Sequence, residues 1–335
     1  MSFQKELLLA LAASVLFGCD TIEQHFSDSC IHVNVVNDKS EYGSYKVVTK
    51  GSIVTTSNLG SAEGFGTFGM EGFILDDVSG INPKVETHYV NGGVCSKSGD
   101  SWILTDGSVN EYNWISGMDF AFWSYAPRSL FASSSFNKDG YSLTGYTIPA
   151  TVTSQQDLIV AYTPMNSGSG QSPVDISFKH ALAAVRFKTN FIDCSLKSVS
   201  ISNVYVKGDL SIGVNNKDVN FLWENLSSST TTFTQNFSSV DFDGDGLQDK
   251  SGNKIFFMIP QKSTSGHKAK LNITVENTSH ETVTVTKEID IDWEAGKIYT
   301  YILSYDSETQ DVNIQVRGQK FESLDLDGIQ WCTDF

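Results

Sequence analysis

Residues 119–127 read DFAFWSYAP. In an extended chain successive side chains point to opposite faces. Phe120, Phe122 and Ser124 therefore share one side, and Ala121, Trp123 and Tyr125 the other. Both sides are mostly apolar, as expected of a strand buried on both faces. The same pattern recurs along the chain. SYKVVTKGSIVTT (44–56), FGTFGMEGFIL (65–75), VETHYVNGGV (85–94), DLIVAYTP (157–164) and VSISNVYV (199–206) are short runs rich in Val, Ile, Thr, Tyr and Phe. NKIFFMIPQ (253–261), LNITVEN (271–277), ETVTVTKEI (281–289) and KIYTYILSY (297–305) continue it, with Gly, Asn, Asp and Ser clusters between.

Almost nothing reads as a long amphipathic helix. FKHALAAVRFK (178–188) fits either state, because its alanines suit both. Many short strands without βαβ spacing predict an all-β chain built of antiparallel sandwiches. TPMNSGSGQSPVD (163–175) packs Pro, Gly and Ser with no apolar period. It is expected to separate a pair of domains, residues 19–165 and 176–335, through a linker at 166–175.

Residues 1–18 read as an export signal. The apolar run LLLALAASVLF (7–17) is too short to span a bilayer and ends at Gly18-Cys19. Leu16-Phe17-Gly18-Cys19 resembles the lipobox of bacterial lipoproteins, although Phe17 is bulkier than the usual residue there. The resemblance implies cleavage before Cys19, acylation of its thiol, and a lipid anchor at the outer membrane or cell surface. A formal net charge of −16 with only three arginines, Arg128, Arg186 and Arg317, argues against nucleic acid as a partner and against docking on anionic lipid. Cys30, Cys95, Cys194 and Cys332 remain. No two stand at C-x-x-C spacing, which argues against a zinc cluster, and sequence leaves open both disulfides and free thiols.

The catalytic motifs fail on context. GFGTFG (64–69) matches G-x-G-x-x-G, but it runs on as an aromatic β-type stretch instead of opening a helix, so its glycines mark a bulge or a close backbone approach. His280-Glu281 begins a zinc-protease motif, yet Thr284 stands where the second histidine must be. No G-x-S-x-G elbow occurs, and the six histidines are scattered, with a structural role expected for His180. The chain reads as non-enzymatic.

DFDGDGLQDK (241–250) is the strongest candidate for a bound ion. Asp241, Asp243 and Asp245 alternate, Gly246 allows a sharp turn, and the Leu247 carbonyl and Asp249 follow at calcium-loop spacing. Gly252 stands where an EF-hand places its bidentate glutamate, and the flanks read as strands. Two readings stay open: a structural calcium stiffening a long loop, or a solvated acidic turn.

The order of landmarks resembles the fimbrillins, subunits of the type V pili of Bacteroidetes, and their lipoprotein relatives. It runs from the lipobox through VVTKGSIVTTSNLGSAEGFGTFG, DFAFWSYAP, SFKHALAAVRFK, FFMIPQ and WEAGKIYTYILS to a terminal Ile329-Gln330-Trp331. The resemblance implies two transthyretin-like β-sandwich domains in tandem and a structural role as shaft, tip or anchor subunit. Its partners would be other pilin subunits and a host or bacterial surface ligand. It further implies that removing an N-terminal strand after a basic residue opens a groove for a donor strand. Lys50, before Gly51, stands where that cut would fall, or it is an ordinary strand lysine. DVNIQVRG (311–318) suits a donor, with Val312, Ile314 and Val316 on one face and Ile329 and Trp331 beyond. The rival is a surface-anchored glycan- or ligand-binding sandwich, which would display exposed aromatics from among Trp102, Trp114, Trp123 and Tyr125.

Overall fold

The structure is a computed structural model that describes residues 30–36, 59–60, 65–76, 85–99, 101–115, 117–131, 136–165, 173–189, 191, 194–228, 230–237 and 255–320. Cys19, Lys50, residues 166–172, the candidate ion ligands Asp241, Asp243, Asp245, Leu247 and Asp249, and Ile329, Trp331 and Cys332 lie outside the described residues.

The first half contributes β1 (His32–Val35), β2 (Thr67–Asp76), β3 (Val85–Ser98), β4 (Ser101–Thr105) and β5 (Asp119–Ala126). One helical turn, α1 (Arg128–Phe131), leads to β6 (Gly140–Thr147) and β7 (Ile159–Met165). Next come β8 (Val174–Ile176), β9 (Lys179–His180), β10 (Ala183–Thr189), β11 (Cys194–Ser202), β12 (Tyr205–Asn215), β13 (Asp218–Ser228) and β14 (Phe233–Asn236). The remainder holds β15 (Phe256–Met258), β16 (Gln261–Lys262), β17 (Ala269–Asn277), β18 (Thr282–Ile289), β19 (Asp292–Trp293), β20 (Lys297–Asp306) and β21 (Asp311–Lys320).

Strands β8-β1-β4-β3-β2-β5-β7-β9 form one sheet. It curls, because the Thr163 hydroxyl on β7 donates to the Asp175 carbonyl on β8 at 3.0 Å, bringing together strands far apart in the order. Phe68, Met70, Trp102, Phe120 and Phe122 fill one core of this sheet. The second half is a sandwich of two sheets, β15-β10-β20-β21 and β14-β11-β17-β18, around Phe187, Val199, Ile201, Phe256, Ile273 and Leu303. Pairing is antiparallel as expected except for β1 with β8 and β10 with β20. β8 begins at Val174, within the stretch read as a linker, because Val174 and Ile176 alternate into the first core while Asp175 faces out.

FKHALAAVRFK is strand and not helix. Every residue of β10 is buried, which a surface helix with one apolar stripe does not allow. β5 is likewise buried along both faces, with Phe120 and Phe122 in the first core and Trp123 and Tyr125 in the second. That second core is continuous with the sandwich, and β6 pairs with β12, so the halves share apolar surface and a sheet. Gly69 explains one glycine of the GFGTFG run: a Cβ there would sit 2.3 Å from the Tyr125 ring.

One buried carboxylate ties three strands of the curled sheet. Glu71 on β2 accepts the Tyr125 hydroxyl and is bonded to His88 Nε2 on β3, both at 2.8 Å, and it takes the Gly92 N–H at 2.9 Å. The His88 ring stacks on Phe73 with centroids 4.5 Å apart. Glu71→Ala leaves a buried hydroxyl and an amide without an acceptor and should lower the unfolding free energy by about 2–4 kcal/mol. Glu71→Gln keeps an oxygen for Tyr125 and should cost less. Denaturant unfolding checks both, and a loss below about 1 kcal/mol for the alanine variant contradicts the assignment.

Candidate functional site

Two strands, β1 and β21, lie one near each end of the described chain. β1 is four residues long and lies between β4 and β8. His32 and Val33 pair with Ile103 and Trp102, while Val33, Asn34 and Val35 pair with Val174, Asp175 and Ile176. Its alternation is that of a half-buried strand. Ile31 and Val33 are buried, Val35 packs beside them in the first core, and His32 and Asn34 face outward. Main-chain bonds continue past both ends, from the Ile31 N–H to the Tyr112 carbonyl at 2.8 Å and from the Val36 N–H to the Ile176 carbonyl at 2.9 Å. Leu59, also buried in this core, anchors the chain beyond Lys50, and its carbonyl accepts the Phe65 and Gly66 N–H groups.

β21 is an edge strand, paired antiparallel to β20 from Asp306↔Asp311 to Lys297↔Lys320. The three residues singled out as donor anchors form a gradient. Val312 is 1% exposed, Ile314 packs partly against the core, and Val316 is 54% exposed. Beside Val316 lies a groove of about 430 Å³, lined also by Ile291, Tyr299, Tyr301 and the ion-paired Lys262 and Asp292. Burial pushes the Tyr301 hydroxyl up to about 12.

The start of β21 is fixed electrostatically. Lys287 Nζ on β18 lies 2.6 Å from Asp311 Oδ2, and this bond, helped by the Val312 N–H, holds the Asp311 carboxyl below its ordinary 3.8. In the preceding turn, hydrogen bonds from Thr309 and the Glu308 N–H lower Asp306 in the same way. A carboxyl lowered in the folded state adds stability above its ordinary pKa and loses it as pH falls through the lowered value. These two carboxylates therefore contribute to the β20–β21 hairpin at neutral pH, and that contribution is lost in acid.

The remaining candidates carry no chemistry among the described residues. Trp102, Trp123 and Tyr125 are buried, and Trp114 packs edge-on against Phe120 and Phe122. The exposed large apolar side chains are Val109, Ile115, Leu222 and Val316, so the described residues offer no aromatic platform for a sugar. No group of three or more His, Cys, Asp or Glu stands ready for a metal among the described residues. His180 Nδ1 is hydrogen-bonded to the buried Asp157 carboxyl at 2.7 Å, a structural use. Cys95 and Cys194 are buried, and burial raises the Cys95 thiol well above its ordinary pKa. β14 and β15, the described elements on either side of the acidic stretch, are strands of different sheets and not the helix pair of an EF-hand.

Sequence reading missed β1, Glu71, Asp157 and the Lys287–Asp311 pair. The alternation of Ile31, Val33 and Val35 was available as a signal, but the other partners are set by long-range pairing. The gradient along β21 predicts unequal mutational costs. Val312→Asp should destabilise by more than about 3 kcal/mol through a buried charge, whereas Val316→Asp should stay within about 0.5 kcal/mol. Equal losses in thermal unfolding would contradict the gradient.

No curated protein matches this chain. Among solved structures, a fimbrial protein from Bacteroides vulgatus is similar with a TM-score of 0.60 at 16% identity, covering 88% of this chain and 99% of that one. A candidate cell adhesion protein from Bacteroides ovatus is similar with a TM-score of 0.50 at 14% identity, covering 76% of this chain and 87% of that one. At such identities the likeness establishes a shared fold. The family profile described as fimbrillin-like matches residues 80–318, from β3 through most of β21. A match running through both halves of the chain places this protein in the fimbrillin-like family, whose members are structural and not catalytic.

Proposed function

We propose that the chain is a cell-surface pilus subunit or adhesin that joins neighbouring subunits by strand exchange and is exported as a lipoprotein through Cys19. The observation that supports strand exchange most is a match between the two terminal strands. β1 and its preceding residue present Ile31, Val33 and Val35 at alternate positions with His32 and Asn34 between. β21 presents Val312, Ile314 and Val316 with Asn313 and Gln315 between. Each set holds two valines and one isoleucine. A strand of this kind brings the same total apolar volume to the slot between β4 and β8, with one methylene moved from the first pocket to the second.

Cleavage after Lys50 would cut the covalent link between β1 and the body of the chain. The vacated slot would expose unpaired backbone groups and apolar pockets, each worth about 1.5–3 kcal/mol to refill. β21 of a second subunit is the proposed occupant, with Ile329 and Trp331 extending the contact beyond it. The acidic stretch is proposed to hold calcium through Asp241, Asp243, Asp245, Asp249 and the Leu247 carbonyl. A melting temperature that does not move on chelation removes that ion.

Mass spectrometry of cell-derived material and electron microscopy test the assembly. Polymeric protein should begin at Gly51, Lys50→Gln should leave monomer beginning at Cys19, and Ile314→Asp should fold but fail to polymerise. Detergent-resistant polymers that retain residues 19–50, or that form as well with Ile314→Asp, would overturn strand exchange through these elements. Loss of filaments on deletion of the chain identifies a shaft subunit, and intact filaments with lost adhesion identify a tip.

A further inference from the structure

β18 and β21 are the outer strands of the two sheets of the sandwich, and among the described residues each pairs with one neighbour only. Along β18, Val283, Val285 and Ile289 turn partly toward the core and Thr282, Thr284 and Thr286 face solvent. Lys287 occupies an inward position in that series. An inward-pointing charge on an edge strand blocks pairing with a foreign strand, because the partner would have to bury it. Here the charge has an answer within the same chain, the carboxylate of Asp311 at 2.6 Å. This bond joins β21 to the opposing sheet.

Position gives the bond its consequence. Asp311 is the first residue of β21 and follows a tight turn in which the Asp306 carboxylate accepts the Glu308 and Thr309 N–H groups and Gln310 adopts φ +53°. Val312 is buried and Val316 is exposed, so of these two anchors the one beside Asp311 is the one held by the core.

We propose that Lys287 and Asp311 form an electrostatic latch that sets how readily β21 leaves its own sandwich, while Lys287 keeps the neighbouring β18 edge closed to other strands. This rests on the reading of β21 as an exchangeable strand and adds what retains it before exchange. The latch is a partly exposed pair, with side-chain exposures of 31% and 47%, so it tunes release and does not lock it.

Hydrogen exchange measured by mass spectrometry on the monomer tests the latch. In Lys287→Gln and in Asp311→Asn the β21 amides should exchange roughly 1.5- to 5-fold faster, the range such a pair reaches, with β11 and β17 unchanged. The charge swap, Lys287→Asp with Asp311→Lys, should restore slow exchange. Salt at about 1 M should shrink the difference between wild type and variants. Unchanged β21 exchange in both single variants, or equal acceleration across β11 and β17, overturns the latch. Because the readout is monomeric, it stands whether or not β21 enters a neighbour, and polymer yield reports on strand exchange separately.

Discussion

Every backbone N–H and C=O at the edge of a sheet needs a partner, and this fold is organised around meeting that demand. The curled sheet shortens its margins, with three residues in β8 and two in β9. Where the ladder runs out, side chains supply the missing groups. Gln155 Oε1 accepts the Phe257 N–H at 2.9 Å, and Gln261 both accepts the Tyr205 N–H and donates to the Tyr205 carbonyl. On β18 the demand is met by exclusion, through the inward Lys287. β1, of four residues, and β21, of ten, differ from these margins because each is a regular strand near one end of the described chain. In the proposed assembly that difference is what links subunits.

The second constraint is the shared core. Trp123 and Tyr125 turn away from the inner core of the curled sheet and pack with Phe131, Phe136 and Tyr141, in one cluster with the sandwich residues. β6 adds the third strand beside β12, and the Trp223 Nε1–H on β13 donates to the Ala181 carbonyl at 3.0 Å.

Much of the fold was legible because period-2 alternation and double-faced burial are local signals. DFAFWSYAP announced β5, buried on both faces, and ETVTVTKEI announced the strand β18. FKHALAAVRFK stayed ambiguous because alanine fits helix and strand alike, and the decision came from β10 lying between β15 and β20. The parallel β1–β8 pair was illegible: Asn34 meets Asp175 across 141 residues, and no local pattern encodes that meeting. Glu71 and Lys287 were hidden for a related reason. A charge in an alternating run reads as solvated until its long-range partner is known.

The most direct measurement traps the exchanged strand covalently. Asn34 meets Asp175 side by side in the β1–β8 pair, and Gln315 takes the place of Asn34 when Val312, Ile314 and Val316 replace Ile31, Val33 and Val35. A chain carrying Asp175→Cys and Gln315→Cys, with Cys30 and Cys332 changed to serine, should give a disulfide-linked ladder of multimers on oxidation once residues up to Lys50 are removed. The same chain with that segment retained should stay monomeric. The absence of a ladder after removal, or an equal ladder with the segment in place, would contradict exchange of β1 for a neighbour's β21.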